Sequence, residues 1–395
     1  MLVAIHQAPA LDPRWLPLID VVARRALGPF DRTGAALVHE IRQLSERYTR
    51  RGGALRDASV ERAARMRFFL PRDLPKIGGP LAELAHAGQL PQRKRWQVLD
   101  LGAGLGTTSL GLAAFARTLA SPPDGLDVLA VEREAPLLDG MRALVNEVSR
   151  HPELAVPIAL RSTEIDLEKG ALPEGLFDLV LMGLSLNELW QDEDDAVERR
   201  AGLLARLVEA LEQDGALIVL EPALASTTRA LMAVRDRVGN EGRAVIFGPC
   251  PHGTARCPLL ARERDWCHED LPLALPPALA ALAKEAHLRF EGLSYSYLTL
   301  RKQRPALSEA LGGNARVVGG PIRSKGRREL HLCMDGQHRR LNVLDRDAGI
   351  HDRVARGAVL AVQLAAEREV LRLGRDAEVQ TRRMLSPVDR SAAAK

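Results

Sequence analysis

One nine-residue stretch, Val98-Leu99-Asp100-Leu101-Gly102-Ala103-Gly104-Leu105-Gly106, limits the fold of this chain more than any other. An apolar run ends in three glycines at alternate positions, and a segment of helical periodicity follows from Thr107. The order reads as strand, glycine turn and helix. The same alternation continues downstream: strands are predicted over 127–131, 156–160, 177–182 and 216–220, with helices over 107–119, 136–149 and 196–211. Strands separated by helices pair in parallel and need cover on both faces, so the pattern predicts an α/β sheet.

The flanks read differently. From Trp15 to Ala87 apolar residues recur at helical spacing, as in Leu37, Ile41, Leu44 and Tyr48, which predicts a helical N-terminal region over 1–90. A helix over 277–286 and a β run over 293–301 complete the central domain, 91–305. Residues 306–350 have β-type runs, with Asp335-Gly336 as a hairpin turn, and form a small C-terminal β unit. Over 351–395 the spacing predicts a helix at 354–373 and a tail disordered at its end.

Only four cysteines occur in 395 residues, Cys250, Cys257, Cys267 and Cys333, three of them in an insert over 245–270 and one far downstream. Met1 to Asp20 carries prolines and aspartates where a secretory signal needs an apolar run, and no apolar stretch approaches the roughly 20 residues of a membrane span. The expectation is a soluble, cytoplasmic protein. In that compartment scarce cysteines serve as ligands more often than as disulfides. Zinc sites favour close CxxC pairs, and this chain has none. Wide spacing with Cys250-Pro251 and Cys257-Pro258 steps fits a [4Fe-4S] cluster, which thiolates approach from separate directions. Zinc with His252 or His268 is the alternative, and four merely buried thiols are the plain one.

The glycine turn points to a nucleoside. Backbone passes close to the ligand there, and Glu132, about 30 residues on, ends the next strand where a carboxylate can accept two ribose hydroxyls. NAD and S-adenosylmethionine both present those hydroxyls. Asp100 before the first glycine, the tight GxGxG spacing and the Gly183-Leu184-Ser185-Leu186-Asn187-Glu188-Leu189 stretch together resemble class I methyltransferases. That resemblance implies that Asp100 serves the methionine amino group, Gly102, Gly104 and Gly106 line the cofactor, Glu132 holds the ribose and Asp166 lies near the adenine.

A narrower likeness covers about 66–356. Pro249-Cys250-Pro251-His252, Cys257-Pro258, Asp265-Trp266-Cys267-His268, Ser296-Tyr297-Leu298, Arg301-Lys302 and the strand from Lys325-Gly326 to Cys333 resemble the methyltransferase-like assembly factors of the small ribosomal subunit. Those factors are best known from mitochondria and have bacterial members. The resemblance implies a class I methyltransferase Rossmann-like sheet, S-adenosylmethionine as cofactor, and a [4Fe-4S] site on Cys250, Cys257, Cys267 and Cys333. It further implies action on or near small-subunit rRNA. The protein is expected to be a monomer off the ribosome. The stretch after Arg356 lacks the family's Trp-Gly-Asp ending, which leaves contacts there unassigned.

Net charge is only +4, so global charge identifies no partner. Local islands say more: Arg93-Lys94-Arg95, Arg301-Lys302, Arg323-Ser324-Lys325-Gly326-Arg327-Arg328 and Arg339-Arg340 could neutralise phosphates. Arg301, Lys302, Arg323, Lys325, Arg327 and Arg328 are the expected RNA-facing set. The chain has no Asn/Asp-Pro-Pro-Tyr signature and no cysteine after the fifth strand, so no catalytic residue is assigned; Asn187 and Glu188 fit substrate contact and helix initiation equally well. Three functions follow: an rRNA methyltransferase, a ribosome-assembly or RNA-binding factor without turnover, and a methyltransferase for a small molecule or protein.

Overall fold

The structure, a computed structural model, describes residues 4–7, 11–49, 61–253, 256–320, 322–344, 354, 356–365 and 368–386. The expected disordered end of the tail, 387–395, lies outside the described residues.

After the short strand β1 (Ala4–Gln7) come two amphipathic helices, Trp15–Ala26 and Gly34–Thr49. The first buries Trp15, Leu18, Ile19 and Val22, and the second buries Leu37, Val38, Ile41 and Leu44; both sets follow helical spacing. These faces join the core beneath the sheet, and Trp15–Ala26 packs on the helix Ala135–Val148.

Strands β2 (Arg95–Leu101), β3 (Gly125–Glu132), β4 (Ile158–Glu164), β5 (Phe177–Gly183) and β6 (Leu211–Pro222) form the parallel part of the central sheet. Most of β2 and nearly all of β5 are buried, as strands covered on both faces must be. The helices Thr107–Arg117 and Ala196–Glu209 supply opposite covers, giving two apolar cores. Strands β7 (Val245–Gly248), β8 (Glu269–Ala274) and β9 (Glu291–Arg301) complete it, in the order β4-β3-β2-β5-β6-β9-β7 with β8 also on β9. Strand β9 runs antiparallel to both β6 and β7. The order reverses between β2 and β5, which opens a crevice at their carboxyl ends.

The C-terminal unit is a second sheet. It contains β10 (Ala315–Val317), β11 (Ile322–Ser324), β12 (Arg327–Met334), β13 (Gln337–Leu344), β14 (Val359–Leu364), β15 (Val370–Arg372) and β16 (Ala377–Ser386). Asp335 and Gly336, with φ of 50° and 68°, make the expected hairpin turn between β12 and β13. Leu330, Leu332, Leu341, Val343 and Leu360 fill its own small core.

Two expectations are corrected here. The helix expected over 354–373 is absent: β14 and β15 lie there, and β14 pairs with β10 and β16. Ala, Leu and Val suit either state, and pairing with distant strands decides between them. The N-terminal region is likewise not all helical, because β1 pairs in parallel with β16 and brings the two ends of the chain into one sheet.

Candidate cofactor pocket and cysteine cluster

The crevice is bounded by the glycine turn. Gly102 and Gly106 have φ of 65° and 79°, and a Cβ would lie 2.6 Å from Ser185 Cβ at the first and 2.7 Å from Met141 Cγ at the second. Only glycine fits both. Gly104 meets nothing within 4 Å, so its backbone is open to the pocket.

Glu132 ends β3, and three backbone amides aim its carboxylate. Oε2 accepts from the Gly104 N–H at 3.0 Å, and Oε1 accepts from the Arg133 and Glu134 N–H groups at 2.8 and 3.1 Å. Asp166 follows β4, accepts from the Glu168 N–H at 3.0 Å and lines the same pocket as Gly102, Gly104 and Glu132. Asp100 and Gly106 are not among the lining residues. Asp100 is fully buried one layer below, where Oδ2 accepts from the Ser109 hydroxyl at 2.5 Å, and burial pushes its carboxyl up to about 6. Its observed work is to fasten β2 to the helix Thr107–Arg117.

Spacing did not reveal the wall opposite. Tyr48, Arg65, Phe69, Asp73 and Lys76 come from the N-terminal region and line the pocket beside the glycine turn. Glu188, in the turn after β5, lines it too; burial pushes its carboxyl up to about 7 against the pull of Arg65 and Arg133. Asn187 is not among the lining residues; its backbone N–H donates to Glu221 Oε1 at 2.9 Å, and Glu221 is buried at the end of β6.

The four cysteines are free thiols that come from three separate places: Cys250 and Cys257 after β7, Cys267 before β8, and Cys333 on β12. The fold brings them within electrostatic reach of one another. Burial, then Cys250, Cys267 and Cys257, push the Cys333 thiol well above its usual range. Burial, then Cys250 and Cys257, do the same to Cys267, and Cys257 rises to about 11 from burial and Cys250. Asp236 accepts from the Cys257 N–H at 3.0 Å through both carboxylate oxygens and holds Arg235 Nη1 at 2.7 Å. Arg235 is fully buried and donates to the His252 carbonyl at 2.5 Å, while His252 Nε2 lies 3.4 Å from Cys333 Sγ. His268 stacks on Trp266 with ring centroids 5.9 Å apart. Among the described residues no three of His, Cys, Asp and Glu are grouped to hold a single metal ion.

The expected RNA-facing set divides. Arg301 is buried and donates to Gln89 Oε1 and to the Asp214 carbonyl, and Lys302 donates to the Leu211 carbonyl. Both are committed to bonds at the carboxyl end of β9, and on β13 Arg339 is likewise buried and bonded to the Arg368 carbonyl. Arg323, Lys325 and Arg327 are exposed on the β11–β12 ribbon, with Arg328 half-buried.

Strand order with an antiparallel β9, a glycine turn and an acidic residue closing the second parallel strand define an α/β protein of class I methyltransferase-like fold. The chain belongs to the Rsm22 family, described as mitochondrial small ribosomal subunit Rsm22, whose profile matches residues 77–360. No curated protein matches it. Among solved structures it is similar to a methyltransferase from Pyrococcus furiosus, at 14% identity over 57% of this chain and 83% of that one, with a TM-score of 0.32. A class I S-adenosylmethionine-dependent methyltransferase from Listeria monocytogenes is also similar, at 12% identity over 73% and 87%, TM-score 0.38. The [4+2]-cyclase SpnF is a third, at 15% identity over 77% and 99%, TM-score 0.32.

Proposed function

We propose that this chain is an S-adenosylmethionine-binding, methyltransferase-like protein of the small ribosomal subunit that carries a [4Fe-4S] cluster and contacts rRNA. The observation that carries the reading is Glu132, fixed by three amides, one of them from the open glycine loop. A carboxylate whose outer faces point into a pocket can take paired ribose hydroxyls. Asp166 then lies on the adenine side. S-adenosylmethionine, when bound, supplies a methyl group on a sulfonium; this chain's residues bind it, orient it and exclude water. No residue is assigned as a catalytic base.

The chemistry of the donor set supports the cluster reading. Four thiols from three places in the chain lie within electrostatic reach of one another, with buried Arg235 beside Cys250 to offset thiolate charge. Burial opposes the Arg235 charge, yet Cys250 and Asp236 outweigh it and raise its pKa. Four thiolates spread around a cuboidal core need more room than the zinc alternative, whose ligands crowd one ion. Cys250, Cys257, Cys267 and Cys333 would be its ligands, and the cluster would fasten the C-terminal sheet to the central one.

The exposed Arg323, Lys325 and Arg327 suit phosphate contacts. Among the described residues no helix is long and apolar enough to cross a membrane. The place proposed for the protein is on ribosomes in the cytoplasm. A second reading, an assembly factor that binds cofactor without turnover, is favoured by the lining of the pocket, which does not include Asn187, the polar residue after β5 that the sequence leaves open to substrate contact. Labelled S-adenosylmethionine incubated with protein and 30S precursors separates the readings. Label in rRNA supports the methyltransferase, and RNA binding without label supports the assembly factor. Label confined to protein or metabolites contradicts both.

A further inference from the structure

The pocket contains an ion pair that the binding of ribose and adenine does not use. Glu132 and Asp166 stand at the ends of β3 and β4 and serve the nucleoside side. The opposite wall is the turn Leu74–Ile77, which packs on the helix Thr107–Arg117 leaving the glycine loop. The approach is close: a Cβ on Gly111 would collide with the Leu74 carbonyl oxygen. Asp73 precedes this turn, Lys76 lies within it, and both line the pocket. Lys76 Nζ lies 2.9 Å from Asp73 Oδ1, with side chains only 7% and 8% exposed.

Two charges at that depth are costly to keep. Burial drives the Lys76 ammonium below its usual range, and Asp73 only partly restores it. Of the three cations lining the pocket, Arg65 is half-buried, Arg133 is 41% exposed and Lys76 is enclosed. An enclosed pair of opposite charges beside the glycine turn complements a ligand end that also carries both signs, such as an α-amino acid. Each side chain can then exchange its internal partner for one on the ligand, and no buried charge is left alone.

We propose that Asp73 and Lys76 form the grip for the cofactor's amino-acid end, with Lys76 on the α-carboxylate and Asp73 on the α-ammonium, an assignment that rests on the reading of this pocket as an S-adenosylmethionine site. The grip makes the pocket selective for nucleosides that carry a zwitterion. A bare nucleoside thioether satisfies Glu132 and Asp166 but leaves the pair as it stands.

Calorimetric titration of the full chain with S-adenosylhomocysteine and with 5′-methylthioadenosine, which shares the adenosine and thioether but lacks the amino acid, tests this. The expected result is that Lys76→Gln weakens S-adenosylhomocysteine by about tenfold or more and changes 5′-methylthioadenosine by less than about twofold. Equal loss for both ligands, or no loss for either, overturns the grip while leaving the cofactor site standing. A wild-type chain that binds neither ligand overturns the cofactor site itself, and the grip with it. Should Lys76→Gln not fold, wild-type protein with decarboxylated S-adenosylmethionine gives the answer: binding about tenfold weaker than S-adenosylmethionine supports the grip, and equal binding overturns it.

Discussion

Arg316 and Cys333 stand directly opposite one another on the antiparallel strands β10 and β12. Opposed residues in such a pair share one face of the sheet, so both side chains leave the C-terminal unit toward the central domain. Arg316 reaches Glu83 at 2.8 Å, Glu269 at 2.8 Å and the Tyr297 hydroxyl at 2.9 Å, and Tyr297 donates to Glu83 at 2.6 Å. Cys333 lies within electrostatic reach of the other three thiols, and its Sγ is 3.4 Å from His252 Nε2. One register therefore sets on a single face a buried ion network that joins the two sheets and the thiol that the proposed cluster would use.

Arg316→Met should break the first joint. Glu83 and Glu269 are buried, and removing the guanidinium leaves two carboxylates without their cation. A loss of about 3–5 kcal/mol is expected, read as a lower urea midpoint. A shift below about 1 kcal/mol would mean that water reaches these carboxylates.

Glu132→Ala should abolish the ribose grip and free the Gly104, Arg133 and Glu134 amides. Charge-assisted hydrogen bonds contribute about 1.5–3 kcal/mol each, so affinity for S-adenosylhomocysteine should drop at least about tenfold. Unchanged affinity in calorimetry would remove Glu132 from the site.

Glu221 makes stability depend on pH. Burial pushes its carboxyl up to about 8, although the Asn187 N–H opposes the shift. The folded state holds a proton that the unfolded chain has lost above its ordinary carboxylate pKa, about 4.3. This contribution is present at low pH, declines as pH rises through that window, and levels off above about 8. Glu221→Gln should therefore gain stability relative to wild type between pH 5 and pH 8 (about those limits) in denaturant titrations. A constant difference across that range would contradict the shift.

Replacing Arg323, Lys325 and Arg327 together by Gln should weaken binding to small-subunit rRNA fragments. The slope of log affinity against log salt should flatten by about 0.7 to 0.9 for each lost phosphate contact. An unaltered slope in filter binding would move the RNA interface elsewhere on the molecule.

What the sequence made legible was local. Continuous apolar runs at β2 and β5, the glycine turn, the Asp335-Gly336 hairpin and the Glu132 position all follow from residues near one another in the chain. What it hid was decided at long range. Strand β14 takes its state from β10 and β16, and Arg301 resembles a surface cation until Gln89, more than two hundred residues away, is seen to accept from it. Asp73 and Lys76 sit between Pro71 and Pro80, prolines that interrupt the helical spacing, and nothing there marks a pocket wall. The cysteines lay between these cases, because scarcity marked them while their convergence depends on placing β12 beside the β7–β8 segment.

Iron and acid-labile sulfide assayed on wild type and Cys333→Ser, both prepared without oxygen, test the central claim most directly. The wild type should be brown and hold about four iron and four sulfide per chain, and the variant should lose them. Its C-terminal sheet should then yield faster to protease. A colourless wild type with stoichiometric zinc, or a variant that keeps its full iron, would contradict the cluster and the joint made through it.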